Sequence, residues 1–271
     1  MIHHIILPAA AAQKYYDTHY RFIEDTARAA ELKLESKPMK EVGNTYDAEI
    51  NDRPVVIDFS DHPALRPKRG SAPYFKFHYS EKVHGGKKNV FPIGPVSFFD
   101  WDEFFRLKKS IHYEARGEVV VNCQAPGGAA LERRRQIQYF LQKIYGAQVD
   151  TELTDQETFW RKAGACMVAV FVPGARIDIL DRGQFQYMAF GACTISPKLD
   201  IVLPFMHAVK PGVHYLECAG DFSDLGEIIE WTRAHRPSCR EIGANAAELF
   251  ASSCLPWKIW SWISECLEAS E

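Results

Sequence analysis

The chain lacks cysteine pairs. Its seven cysteines, at positions 123, 166, 193, 218, 239, 254 and 266, are odd in number, widely scattered and form no Cys-x-x-Cys. That pattern excludes a disulfide scaffold and a zinc site of ordinary spacing, and fits reduced, buried thiols in a cytoplasmic protein. A charge excess is lacking too. Lysine and arginine number 32 against 35 acidic residues, a net charge of -3, so no nucleic-acid partner is expected. No apolar run approaches the roughly 18 residues that span a bilayer, which leaves only peripheral membrane contact, at an inner face. The opening MIHHIILPAAAAQKYY has no basic stretch ahead of its apolar patch and reads as a buried strand and turn, not a signal peptide. Also missing are a Gly-x-Gly-x-x-Gly fingerprint, a Walker loop, an internal repeat and a compact metal-ligating cluster of His, Asp and Glu.

What is present is ordinary for a soluble globular protein: 46% hydrophobic and 25% charged residues. The length suits one large domain or two of about 100 to 150 residues. Along the first part, a strand over residues 3–7 precedes a helical pattern over 13–34, where Phe22, Ile23, Ala27 and Ala30 recur at helical spacing. Strands follow at 47–50, at 54–60 (PVVIDFS, nearly all apolar, as a buried parallel strand would be) and at 73–80. The pattern resets near residues 111–117. Beyond it come the strand GEVVVNCQ, a helix over 130–145, a helix near 155–163, the strands CMVAVFVP, ACTISP, DIVLP and HYLECA, and three closing helical runs. Strands alternating with helices over two halves predict an α/β fold of two Rossmann-like domains facing a cleft. The expected boundaries are residues 1–114, residues 115–255, and a last helix, 256–271, packing back on the N-terminal domain. That last run, PWKIWSWISECLEA, also fits an interfacial helix, though Lys258 is its one basic residue.

In open α/β sheets, ligands bind beyond the carboxyl ends of the strands. The segment RIDILDRGQFQYMAFGACTISPKL, residues 176–199, follows such a strand directly. Its helix is expected to begin near Asp181, pointing free backbone N–H groups and a positive dipole end at the ligand space. Arg176 and Arg182 would add charged donors to a diphosphate, with Asp181 as the N-cap; the plainer reading pairs Asp178 with Arg182 on the surface. In VVVNCQAPGGAALERRRQ, Gly127 and Gly128 let the backbone approach a ligand and Arg133 sits in the first turns of the next helix, although an arginine run is also what a solvated helix face looks like. In HYLECAGDFSDLGEIIEW, Glu217 or Asp221 suits a sugar hydroxyl, and Ser223 or Asp224 starts a helix. After PVVIDFS stand Asp58, Asp61 and His62, placed to take a proton from an acceptor hydroxyl or to form a turn. Lys76 and His78 occupy alternate positions of one strand and so face the same side, toward acceptor or donor. Asp102 and Glu103 in FFDWDEFF read as a packed helix start, not a metal-binding Asp-Trp-Asp.

Residues 161–250 resemble the C-terminal half of a GT-B glycosyltransferase. In retaining members, two glutamates separated by seven residues precede a helix end like QYMAFG and a strand; Met188, Ala189, Gly191 and Ser196 fall in register, with Asp178 and Gln186 at the glutamate positions. The segment is also similar to the family of protein O-glucosyltransferases and capsule-associated transferases, where Arg182, followed by Phe185 and Tyr187, matches the diphosphate-binding arginine. The resemblance implies a transferase with an N-terminal unit for a glycan, lipid or small-molecule acceptor and a C-terminal unit for a nucleotide-sugar donor. The donor is then a substrate; no cofactor and no metal are implied, because helix dipole and basic side chains stabilise the leaving diphosphate. A nucleotide-sugar epimerase or hydrolase of the same fold, and a noncatalytic nucleotide- or sugar-binding protein, are the alternatives.

Overall fold

The computed structural model describes residues 2, 4–8, 16–37, 44–66, 71–94, 100–111, 116–124, 128–174 and 178–270. The first elements are β1 (His4–Pro8), α1 (Tyr16–Ala29), β2 (Lys33–Lys37), β3 (Thr45–Ile50), β4 (Arg53–Asp58), β5 (Tyr74–Lys76), α2 (Glu81–His84) and β6 (Val90–Pro92). Next come α3 (Trp101–Lys109), β7 (Val120–Val121), α4 (Leu131–Tyr145), β8 (Val149–Asp150), α5 (Gln156–Ala165), β9 (Val168–Val170), α6 (Arg182–Ala189) and β10 (Cys193–Pro197). A small hairpin of β11 (Val202–Leu203) and β12 (His207–Ala208), then β13 (Leu216–Cys218), α7 (Leu225–Ala234), α8 (Arg236–Ser253) and α9 (Pro256–Glu268), complete the chain. It divides into two compact units. The first comprises residues 1–101, 201–208 and 252–271, the second residues 102–200 and 209–251. The first division falls just after Trp101, with the rest of α3 in the second unit, not at the 114/115 boundary expected from sequence.

Unit 1 is a six-stranded sheet in the order β2-β1-β3-β4-β5-β6. All its strands are parallel except β3, which runs antiparallel to both β1 and β4. The β3–β4 connection is a two-residue turn, Asn51 and Asp52, both at positive φ (49° and 62°), the conformation that Asn and Asp tolerate and tight hairpins need. Helix α1 is shorter than its apolar period suggests. At its end Glu31 turns left-handed (φ 58°) and the Leu32 N–H closes on Ala27 O at 2.9 Å, so KLESK becomes β2, a charged strand at the sheet edge. On one side of the sheet, Phe22, Ile23 and Ala27 of α1 join Ile259, Trp260, Ile263, Cys266 and Leu267 of α9 in a single core with Ile5, Ile57 and Phe75.

Unit 2 is a five-stranded, wholly parallel sheet in the order β13-β10-β9-β7-β8. Counted along the chain this is the order 2-1-3-4-5 of a doubly wound fold. The connections reverse direction between β7 and β9, and a ligand crevice belongs outside the carboxyl ends of those two strands. The core of Val120, Val168, Val170, Cys193 and Ile195 is covered by Leu141 of α4, Leu225 and Ile229 of α7, and Cys239 and Ile242 of α8.

Candidate functional site

At the switch point of unit 2 the strands part. The ladder between β7 and β9 has one registered pair, Val121 with Ala169, and side chains replace backbone beyond it. Asn122 Nδ2 donates to Val170 O at 2.8 Å. Gln124 mimics a peptide group, its Nε2 donating to Val172 O (3.1 Å) and its Oε1 accepting from Val172 N (2.5 Å). Both residues are buried. These side chains satisfy backbone groups that a continued ladder would have paired.

The loop after β9 is held from α4. Arg133 Nη2 donates to Pro173 O (3.1 Å) and Gly174 O (2.8 Å). Arg134 donates through Nε to Val172 O (3.1 Å) and through Nη2 to Asp181 Oδ2 (2.9 Å). Asp181 in turn caps α6, its Oδ1 accepting from Gly183 N at 2.9 Å, as an N-cap aspartate should. Side chains of Arg134 and Asp181 are 16% and 17% exposed, so this charged pair is largely shielded. The arginine run therefore does not present its first two members as free phosphate donors: Arg133 and Arg134 build the loop, and Arg135 is exposed. Arg182, at the first position of α6, is exposed beside the cap. Gly128, at φ 58°, forms the turn into α4. Gly127 and Arg176 lie outside the described residues.

Two expected donor residues stand elsewhere. Gln186 is buried and its Oε1 accepts from Gln156 Nε2 and Trp160 Nε1, both at 3.1 Å, so it ties α6 to α5 instead of facing the strand ends. Asp221 is exposed and folds back on Ser223 N (3.1 Å); hydrogen bonds from the Ser223 side chain and backbone hold its carboxyl below the usual range. It follows β13, the edge strand two positions from β9, roughly 10 Å away at ordinary strand spacing. Asp178 lies beside the end of β10, its backbone carbonyl accepting from Asp200 N at 2.9 Å. Asn122, Gln124 and Arg134, which brace the end of β9 and the loop after it, were legible only as polar residues at strand and helix ends.

In unit 1 the carboxyl end of β4 carries a buried network. Asp58 and Lys76 are cross-strand partners with wholly buried side chains, 3.2 Å apart. Tyr74 OH donates to Asp58 Oδ2 (2.6 Å), Ser60 N donates to Asp58 Oδ1 (2.8 Å), and Lys76 Nζ donates to Ser60 O (2.5 Å). Burial, and then the Asp58 carboxylate, push the Tyr74 hydroxyl up. Asp58 is thus a structural anchor, not a base that meets an acceptor, and Lys76 is its counter-ion, not a cleft-lining cation. The anchored loop presents Asp61, whose side chain is 56% exposed, with Oδ1 2.9 Å from His78 Nε2. The side chain of His78 is 8% exposed, so Asp61 is the accessible member of the pair. His62 beside it is exposed. The same loop is pinned from below by His84, whose Nε2 donates to Pro63 O (2.9 Å) while Nδ1 accepts from Ser80 N (3.0 Å). Among the described residues no group of three His, Cys, Asp or Glu is arranged to hold a metal ion. No described helix is long and apolar enough to cross a membrane.

No protein-family profile matches the chain. Over 70 residues it is 33% identical to the uncharacterized protein 179R of Invertebrate iridescent virus 6, which covers 23% of this chain and 6% of the viral protein; the chain thus spans a small part of that relative's length. Among solved structures, a glycosyltransferase from Rickettsia africae superposes over 98% of this chain and 96% of its own, with TM-score 0.54 and 8% identity. HepE from Anabaena, solved in complex with UDP, matches 73% of this chain and 72% of its own at TM-score 0.46 and 10% identity. The chain has the two-domain α/β fold of the Rickettsia glycosyltransferase, the fold that the GT-B resemblance implies.

Proposed function

We propose that this protein is a glycosyltransferase that moves a sugar from a nucleotide-sugar donor to a hydroxyl of a glycan, lipid or small-molecule acceptor. The observation that carries the reading is the topological switch between β7 and β9, beyond whose carboxyl ends ligands bind in open α/β sheets, with the capped N-terminus of α6 and the exposed Arg182 following β9. A fold shared with a glycosyltransferase along nearly the whole chain supports it. In this reading the donor diphosphate lies against α6, where backbone N–H groups, the helix dipole and Arg182 stabilise the charge that develops as the sugar leaves. Together the backbone N–H groups, the helix dipole and Arg182 take the part that a metal plays in other transferases. Within unit 1, the exposed Asp61 beside His78 is the carboxylate suited to bind an acceptor hydroxyl.

A thermal-shift and calorimetry series against nucleoside diphosphates and nucleotide sugars tests the donor assignment. One donor is expected to raise the melting temperature in a dose-dependent way, and Arg182→Ala is expected to weaken its binding by about 1.5–3 kcal/mol, the worth of a hydrogen bond to a charged group. If no nucleotide binds, or if the variant binds as tightly as the parent, the assignment fails.

A further inference from the structure

We propose that unit 2 carries a second ligand site, for a small, flat organic carboxylate, at the amino-terminal edge of its sheet. A cavity of about 260 Å³ opens there, where residues 118–119 lead into β7 and Met167 leads into β9. This is the end of the strands opposite the carboxyl ends where the proposed nucleotide site lies, so its occupant is distinct from the nucleotide.

The lining sets the chemistry. The floor is apolar and buried, formed by Val120, Met167 and Val168, and the polarizable Met167 thioether suits an aromatic body. Two guanidiniums stand at the rim, Arg233 and Arg236, each about one-third exposed. The Arg233 guanidinium lies 4.7 Å above the Tyr145 ring, which fixes its plane. A guanidinium offers five N–H donors. Among the described residues Arg233 engages Glu230 (3.1 Å) and Gln148 (2.5 Å), and Arg236 engages Glu118, so both retain donor capacity.

The acidic partners at the rim are themselves exposed, 76% for the side chain of Glu118 and 59% for that of Glu230. Surface pairs of that kind are worth little against water. A ligand carboxylate resting on the apolar floor would exchange one such pair for a better shielded, bidentate one. Glu118 at the same rim repels a phosphate dianion more than a monoanion, which favours the carboxylate.

Benzoate is the probe, titrated into the full chain and followed by amide chemical shifts and melting temperature. Saturable binding is expected, with shifts centred on residues 119–121 and 167–168, and at least about tenfold weaker binding of neutral benzamide, some 1.4 kcal/mol. Inorganic phosphate should leave those amides unmoved. Arg236→Gln is expected to lower benzoate affinity by about tenfold. Ala147→Phe, at an exposed position of the cavity wall, should block it while the unliganded melting temperature stays near that of the parent. Arg182→Ala should leave benzoate binding intact, which separates this site from the proposed donor site. Equal affinity for benzoate and benzamide, shifts centred elsewhere, absence of saturation, or binding that survives both cavity variants overturns the proposal.

Discussion

Lys76 is a lysine with no exposed side-chain surface, held by the Asp58 carboxylate and by Ser60 O and Oγ. A buried pair of this kind need not stabilise the fold, but breaking it leaves a charge without compensation. Lys76→Met should therefore lower unfolding stability by about 3–5 kcal/mol in urea titrations, and the double change with Asp58→Asn should recover part of that loss. His84 gives a pH dependence. Burial, despite the hydrogen bond to Pro63 O, lowers its pKa from 6.5, so the folded state keeps the ring neutral where the unfolded chain already binds a proton. Stability from this group is complete above about pH 6.5 and declines as pH falls from there toward the depressed folded value. Denaturant midpoints should show a steeper loss below pH 6.5 in the parent than in His84→Gln; parallel curves would remove His84 as the cause. At this scale the sequence was partly legible. Asp58 and Asp61 stood out as acids at a strand end, but only the β4/β5 register reveals that Lys76 neutralises the first and His78 meets the second.

Helix α8 crosses the turn between α6 and β10 so closely that a Cβ built on Gly243 would lie 2.2 Å from Gly191 O. Backbone cannot swing aside as a side chain does, so Gly243→Ala must push the helix away. The expected loss is about 1–3 kcal/mol, read as a lowered melting temperature; an unchanged value would mean that α8 sits further out. Gly191 itself, at φ 82°, ends α6, with its N–H on Met188 O and that of Ala192 on Tyr187 O. The Phe-Gly-Ala that closes the apolar helix is thus a C-terminal stop of the usual left-handed kind. Elements with a strong period or clear end signals, such as α4, α5 and α7, could be located from the residues. Those set by pairing could not. GEVVVNCQ reads as an eight-residue strand, yet only Val120 and Val121 form β7; beyond them Asn122 and Gln124 reach Val170 O and Val172 O through their side chains. Lys33–Lys37 has no apolar alternation and becomes β2 only because β1 lies beside it.

For the molecule as a whole, α9 is the element whose removal should matter most. Ile259, Trp260 and Ile263 each expose 5% of their surface or less within the unit 1 core, and burying such side chains stabilises by about 1.5–3 kcal/mol apiece. Their sum is comparable with the whole stability of a typical domain, about 5–15 kcal/mol. A chain stopped before Pro256 is expected to lose the cooperative unfolding transition of unit 1, seen by calorimetry, while retaining that of unit 2. The division itself was only partly readable. Residues 201–208, the unremarkable IVLPFMHA, belong to unit 1 although both flanks belong to unit 2, and no local composition marks such a return. What the sequence by itself determined is the alternation of strands and helices, the amphipathic faces, the Asp181 cap and the Gly191 stop, since each depends on residues a few positions apart. The tertiary structure alone decided the antiparallel β3, the strand order that creates the switch point, the structural roles of Asp58, Lys76, Gln186 and Arg133, and the exposure of Asp61 and Arg182. Those outcomes depend on which distant segment comes to lie alongside, and a pattern of period two or 3.6 carries no information about its neighbour.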